Sequence, residues 1–141
     1  MSILKTPDEL RAFLKRIRTI AIVGVSADPS RDSHAVAAYL QARGYRIIAV
    51  NPRHREVLGE PCYPSLADIS QADAGSVDVV NVFRRSEEAA AVAREAIRLR
   101  FPAIWFQLGV ATEEAIDEAD RAGLQVVSDS CIKVAHAMLV R

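Results

Sequence analysis

Five short apolar runs, each separated from the next by a segment with helical patterning, constrain this chain more than any other feature. They are Thr19–Val25, Tyr45–Val50, Val77–Phe83, Ala103–Gln107 and Leu124–Val127. Continuous runs of this length, rich in Val and Ile, suit strands buried on both faces of a parallel sheet. The intervening segments carry helix signals. Thr6-Pro7-Asp8-Glu9 reads as a capping box with Pro at the first helical position. Leu10, Phe13, Leu14 and Ile17 then form an apolar stripe. A second helix is predicted from Ser33 to Arg43, with Gly44 placed to stop it. Others are predicted from Ser86 to about Arg100, from Thr112 to Gly123, and from Cys131 to Leu139. The stretch from Arg53 to Pro64 holds Gly59, Pro61 and Pro64 and reads as loop with short extended pieces, before a helical turn over Ser65–Ile69. The alternation predicts a single α/β domain over residues 1–141, a doubly wound five-stranded parallel sheet with right-handed crossovers. The expected strand order is 3-2-1-4-5. Ligands bind such sheets where the order reverses, at the carboxyl ends of the strands. That order puts the crevice beside the loops after the first and fourth strands, with Gly24–Ser33 near Gln107–Thr112.

Composition narrows the function classes. In 141 residues, half are hydrophobic, enough for a real core, and 18 basic residues balance 18 acidic ones. A neutral balance supplies no general drive toward nucleic acid or a membrane surface. No apolar run approaches the roughly 20 residues of a membrane helix. Met1–Thr6 lacks a signal-peptide core, so a cytoplasmic protein is expected. Cys62 and Cys131 lie far apart without C-x-x-C spacing, which fits reduced thiols and no zinc. His34, His54 and His136 show no metal or triad spacing, and neither Asp78 nor Asp129 pairs with a nucleophile. No catalytic residue and no metal ligand is assigned, and the balance is against an enzyme.

The chemistry-bearing residues cluster after the apolar runs. In Gly24–Ser33, Gly24 permits a sharp turn, and the helix beginning near Ser33 offers free backbone N–H groups to a phosphate. Ser26, Ser30 and Ser33 add hydroxyls, and Arg31 adds a guanidinium fork. A G-x-G-x-x-G fingerprint is absent, because Ser26 and Pro29 stand where glycines would. Val50-Asn51-Pro52-Arg53-His54-Arg55 has no acid to hold a ribose, but Arg53 and Arg55 suit a ribose that carries a phosphate, as in NADP or coenzyme A. Phe83 at the end of the third strand is placed to flank an adenine, with Arg84 and Arg85 toward phosphates. Trp105 reads as core. Gln107, at the end of the fourth strand, is placed to donate to or accept from a ligand. Cys131, just past the fifth strand, has Lys133 nearby to lower its pKa.

Taken in order, Gly24-Val25-Ser26, Arg31, Ser33, Tyr39-Leu40, Gly44-Tyr45, Val50-Asn51-Pro52, Leu58-Gly59-Glu60, Val82–Ser86, Trp105-x-Gln107-x-Gly109 and Asp129-x-Cys131 resemble the small stand-alone CoA-binding (YccU-like) proteins, which are similar to the CoA-binding domain of succinyl-CoA synthetase α subunits. The resemblance covers roughly residues 15 to 135 and implies a Rossmann-like fold that binds coenzyme A. It implies that Gly24, Ser26, Ser30, Arg31 and Ser33, in the motif with Val25, take the pyrophosphate. Asn51, Pro52 and the basic residues after them would lie by the adenosine and its 3′-phosphate, and Phe83 and Arg84 by the adenine or pantetheine. The pattern departs at Ile132, where a proline is common after the cysteine. The related synthetases need a phosphorylated-histidine domain and a nucleotide-grasping subunit. This chain is too short for either, so a binding protein for CoA or acyl-CoA, acting as sensor or carrier, is expected. An NADP-dependent oxidoreductase type and a thiol/CoA redox-linked role through Cys131 stay open as alternatives, as does a homodimer or another protein partner.

Overall fold

A computed structural model describes residues 3–140. The helix α1 (Pro7–Arg16) begins with the capping box: Glu9 N–H donates to Thr6 Oγ1 at 3.1 Å, and Thr6 N–H donates to Glu9 Oε1 at 2.9 Å. There follow β1 (Thr19–Val23), α2 (Asp32–Ala42), β2 (Arg46–Val50), the hairpin β3 (Glu56–Val57) and β4 (Glu60–Tyr63), a 3-10 turn at Leu66–Asp68 and the short α3 (Gln71–Ala74). The second half holds β5 (Val79–Val82), α4 (Ser86–Arg98), β6 (Ala103–Phe106), α5 (Glu113–Arg121), β7 (Gln125–Val127) and α6 (Ile132–Leu139).

All seven strands form one sheet in the order β3-β4-β2-β1-β5-β6-β7, parallel except for the β3–β4 hairpin. The pleat sends alternate residues to opposite faces. Ile20 and Ile22 of β1 join Phe13 and Leu14 of α1, Val36 and Leu40 of α2 and Ile132 of α6 on one face. Ala21 and Val23 meet Ala89, Ala93 and Ala96 of α4 and Ala115 and Ala119 of α5 on the other. The small alanines let α4 and α5 lie close against the sheet. A sheet covered by helices on both faces is the Rossmann-like, doubly wound arrangement.

The sheet corrects two expectations. It has seven strands rather than five, and the anticipated third strand, β5, pairs with β1 on the side away from β2. The place beside β2 belongs to β4, in a stretch read from sequence as loop. Its pairing is short, Ala49 with Cys62 and Val50 with Tyr63. The hairpin turn is Leu58-Gly59, both at positive φ (55° and 76°). A primed two-residue turn is marked in sequence by Asn-Gly or Asp-Gly, and a leucine at its first position hides it. The order therefore reverses between β1 and β5, and the crevice lies beside the loop after β5, not the loop after β6.

Among the described residues, no helix is long and apolar enough to cross a membrane. No group of three or more His, Cys, Asp or Glu residues is placed to hold a metal ion among them either.

Candidate functional site

At the carboxyl ends of β1, β2 and β5 lies a crevice of about 600 Å3, within the range of small-molecule sites. Gly24 opens it. Its φ is +94°, and a Cβ there would stand 2.5 Å from the Phe83 carbonyl oxygen. The ends of β1 and β5 therefore touch backbone to backbone, and the loop after β1 bends over them.

That loop is tied by its own side chains. Ser26 N–H donates to Ser33 Oγ (3.0 Å), Asp28 N–H to Ser26 Oγ (3.0 Å), and Ser30 N–H and Oγ to Asp28 Oδ1 (3.0 and 2.8 Å). The Ser30 bonds hold the Asp28 carboxyl below its ordinary pKa, so it stays ionised. Arg31, not Ser33, occupies the N-cap of α2 and makes no side-chain cap bond. Arg85 occupies the N-cap of α4 in the same way. Two helix N-termini without side-chain caps thus adjoin one crevice, which Arg31, Asp32, Ser33, Arg85 and Glu88 help to line. Such ends carry free N–H groups and the positive pole of the helix dipole.

The wall from β2 is Asn51, which is 6% exposed. Its Nδ2 donates to Val25 O at 2.9 Å and its Oδ1 accepts from Arg53 N–H at 2.9 Å, so one side chain fixes the loops after β1 and β2 together. Beneath it Cys62 Sγ lies 3.5 Å from Asn51 O, and burial pushes that thiol's pKa up.

Charge in the crevice is mixed but unevenly committed. Arg84 sits 3.7 Å from Glu88. Arg31, Arg53 and Arg85, which also line it, form no ion pair among the described residues, although Arg31 is near enough to help keep Asp28 ionised.

The crevice brings together nine of the residues singled out from sequence: Gly24, Ser26, Arg31, Ser33, Asn51, Arg53, Phe83, Arg84 and Arg85. Val25 is fully buried in the core beneath the loop. Ser30 is exposed and spends its hydroxyl on Asp28, while Pro52 and Arg55 are exposed outside the lining. Asp28, Asp32, His54 and Glu88 line the crevice without having been singled out. Their signal was position: Asp28 and Asp32 sit in the flagged loop, Glu88 in the first turn of a flagged helix, and His54 between Arg53 and Arg55.

Gln107 lies elsewhere. It is 6% exposed, and its Oε1 accepts from Asn81 Nδ2 (3.0 Å) and from Ile132 N–H at the start of α6 (3.1 Å). Asn81 is fully buried, and its Oδ1 has no partner among the described residues. Gln107→Ala would strip the Asn81 side-chain amide of its one hydrogen bond among the described residues and leave Ile132 N–H open. A loss of about 2–4 kcal/mol is expected, since a buried polar group left unpaired carries its full desolvation cost. Chemical denaturation should show it, with ligand affinity at the crevice held within about twofold because the crevice is untouched. Lost affinity at unchanged stability would instead make Gln107 a ligand contact. Trp105, also fully buried, donates from Nε1 to Ser130 O at 2.7 Å. Cys131 is half-buried at the N-cap of α6, and the Lys133 ammonium lies over the Tyr39 ring, 5.6 Å from its centroid.

Comparison with known proteins agrees with this geometry. Residues 18–137 match the model of a CoA binding domain. The protein YneT of Bacillus subtilis (strain 168) is 44% identical over 130 residues, covering 92% of this chain and 93% of YneT. Acetate–CoA ligase [ADP-forming] I of Archaeoglobus fulgidus is 26% identical over 125 residues, 82% of this chain but 18% of the ligase. Among solved structures, a hypothetical protein from Pyrococcus horikoshii OT3 superposes with a TM-score of 0.90 at 36% identity, covering 97% of this chain and 94% of that one. With residues 18–137 matched by that model, the chain belongs to the CoA-binding domain family.

Proposed function

We propose that residues 1–141 act as one module that binds coenzyme A or an acyl-CoA in the crevice, without catalytic machinery of its own, as a sensor or carrier in the cytoplasm. The observation that carries this reading is the meeting of two helix N-termini lacking side-chain caps with Arg31, Arg53 and Arg85, none of them paired with a carboxylate among the described residues. A pyrophosphate fits between the helix ends and Arg31, where backbone N–H groups and the guanidinium fork act together. A ribose phosphate fits Arg53. Phe83, half-buried at the rim, offers an aromatic face to the rest of the nucleotide. A nicotinamide dinucleotide fits less well, because Ser26 and Pro29 replace fingerprint glycines and no acid follows β2 to hold a bare ribose.

Thermal melts with CoA, dephospho-CoA, NAD, NADP and ATP test the reading. CoA at about 100 times its dissociation constant should add about 2.7 kcal/mol, a shift of several degrees in a domain this size. Dephospho-CoA should bind about tenfold more weakly, having lost one charge-assisted contact. Arg31→Ala should remove most of the CoA shift. A larger response to NADP, or no response to any of the five, would sink the proposal.

A further inference from the structure

The opposite end of the sheet, at the amino ends of β1 and β2, holds a second cavity of about 300 Å3. It lies between the end of α1, the link from α2 to β2 and the last turns of α6. Leu14, Ile17, Val140 and the Tyr45 ring give it an apolar side, and Lys15, Arg18 and Arg43 give it positive charge. Among the described residues, no carboxylate lines it. Seven ion pairs form elsewhere among the described residues, yet none of these three cations belongs to one.

Arg18 and Arg43 are held in place without being neutralised, while Lys15 is exposed. Arg18 Nη1 donates to the carbonyl oxygens of Lys15 (2.9 Å) and Ile17 (3.1 Å). The Arg43 guanidinium lies 4.3 Å from the centroid of the Tyr39 ring. His136, which also lines the cavity, is 7% exposed. Its Nδ1 is 3.0 Å from Tyr39 Oη, and its ring packs edge-on against Tyr39 and Tyr45, with centroids 5.5 Å away in each case. Its Nε2 has no partner among the described residues. Burial, with Arg43 nearby, keeps this imidazole neutral more readily than a free histidine. A neutral ring whose Nδ1 accepts from the Tyr39 hydroxyl has its proton on Nε2, a donor open to solvent or to a ligand in the cavity.

The carbonyl ends of α1 and α2 account for some of the positive charge. They do not account for the cavity, its apolar side or the imidazole on its wall. We propose that this cavity binds a small organic anion, a carboxylate on a short aliphatic chain, with the carboxylate toward Lys15, Arg43 and His136 and the chain against Leu14, Ile17 and Val140. The volume stands at the lower end of small-molecule sites, which excludes anything as large as a nucleotide. Helix α2 runs from the crevice at Arg31 to this cavity at Arg43, a span of about 16 Å over its 11 residues. The two sites are therefore separate, and this one stands whether or not the crevice holds coenzyme A.

The test is NMR of the histidine and tyrosine rings while sodium butyrate, or separately sodium phosphate, is added at constant ionic strength. Butyrate should move the His136 and Tyr45 signals saturably and leave His54, which lines the crevice, unmoved. Lys15→Gln and Arg43→Gln should each weaken the response about fivefold, the scale of one exposed charge contact. Arg31→Ala should leave it unaltered. No saturable movement, movement of His54 in place of His136, an equal response to phosphate, or unchanged affinity in both charge variants would overturn the assignment.

Discussion

Gly24→Ala should melt far below the parent protein and lose the crevice with its stability. The new Cβ would stand 2.5 Å from the Phe83 carbonyl oxygen, a backbone atom that cannot rotate away. The residue would also have to keep a φ of +94°, which L-residues adopt at a cost of about 1–2 kcal/mol. Relief is available only by parting the ends of β1 and β5, where Phe83 N–H donates to Val23 O at 2.8 Å, or of β1 and β2, where Gly24 N–H donates to Val50 O at 2.8 Å. Overpacking of this kind adds about 1–3 kcal/mol. The sum of about 3 kcal/mol corresponds to a drop near 10 °C in a chain of this length. Phe83 would be displaced from one wall of the crevice while the loop over Ser26 was displaced from the other. Melting and CoA titration on the same sample check this. A melt within about 2 °C of the parent would mean that the strand ends do not touch as described.

Asn51→Leu should fail for a different reason, with the branched shape kept and the hydrogen bonds lost. It leaves the Val25 carbonyl and the Arg53 amide without the partners that now lie 2.9 Å away. The buried Val25 carbonyl so stranded costs about 1–3 kcal/mol, and the half-buried Arg53 amide less. The tie between the loops after β1 and β2 also goes, so Arg53 is no longer held over the crevice. CoA affinity should fall about tenfold beyond what the lower stability explains. Asn51→Asp separates the two bonds, because it keeps the acceptor for Arg53 N–H and sets a carboxylate oxygen against Val25 O. A stability loss in both variants, with CoA affinity better retained in the aspartate, is the expected pattern. Equal affinity in all three proteins would remove Asn51 from the site's architecture.

The parts of this molecule that were legible in advance are those written in neighbouring residues. The capping box at Thr6 and Glu9, the strand runs Tyr45–Val50 and Ala103–Gln107 (the latter one residue longer than β6), and the stop at Gly44 depend on a few adjacent side chains and on φ preferences that act locally. The loop after β1 was legible for the same reason, since a glycine, three serines and an arginine before a helix announce a polar turn wherever the sheet later puts it. Asp28, Asp32 and Glu88 were harder. Acids near a phosphate site read as surface charge until the fold shows that they line the same crevice as Arg31 and Arg84.

The sequence by itself determined an α/β chain, five of its strands, the positions of its main helices and the loops that carry polar chemistry, because periodicity and capping are properties of short segments. Only the tertiary structure decided that β4 enters beside β2, that β5 crosses to the other side of β1, and that the order reverses between β1 and β5. Those choices rest on pairings between residues far apart in the chain, such as Ala49 with Cys62 and Ile22 with Asn81, which no local pattern encodes. The same choices took Gln107 out of the crevice and into the core, where its oxygen holds Asn81 and the start of α6, and brought Phe83, Arg84 and Arg85 against the loop at Gly24.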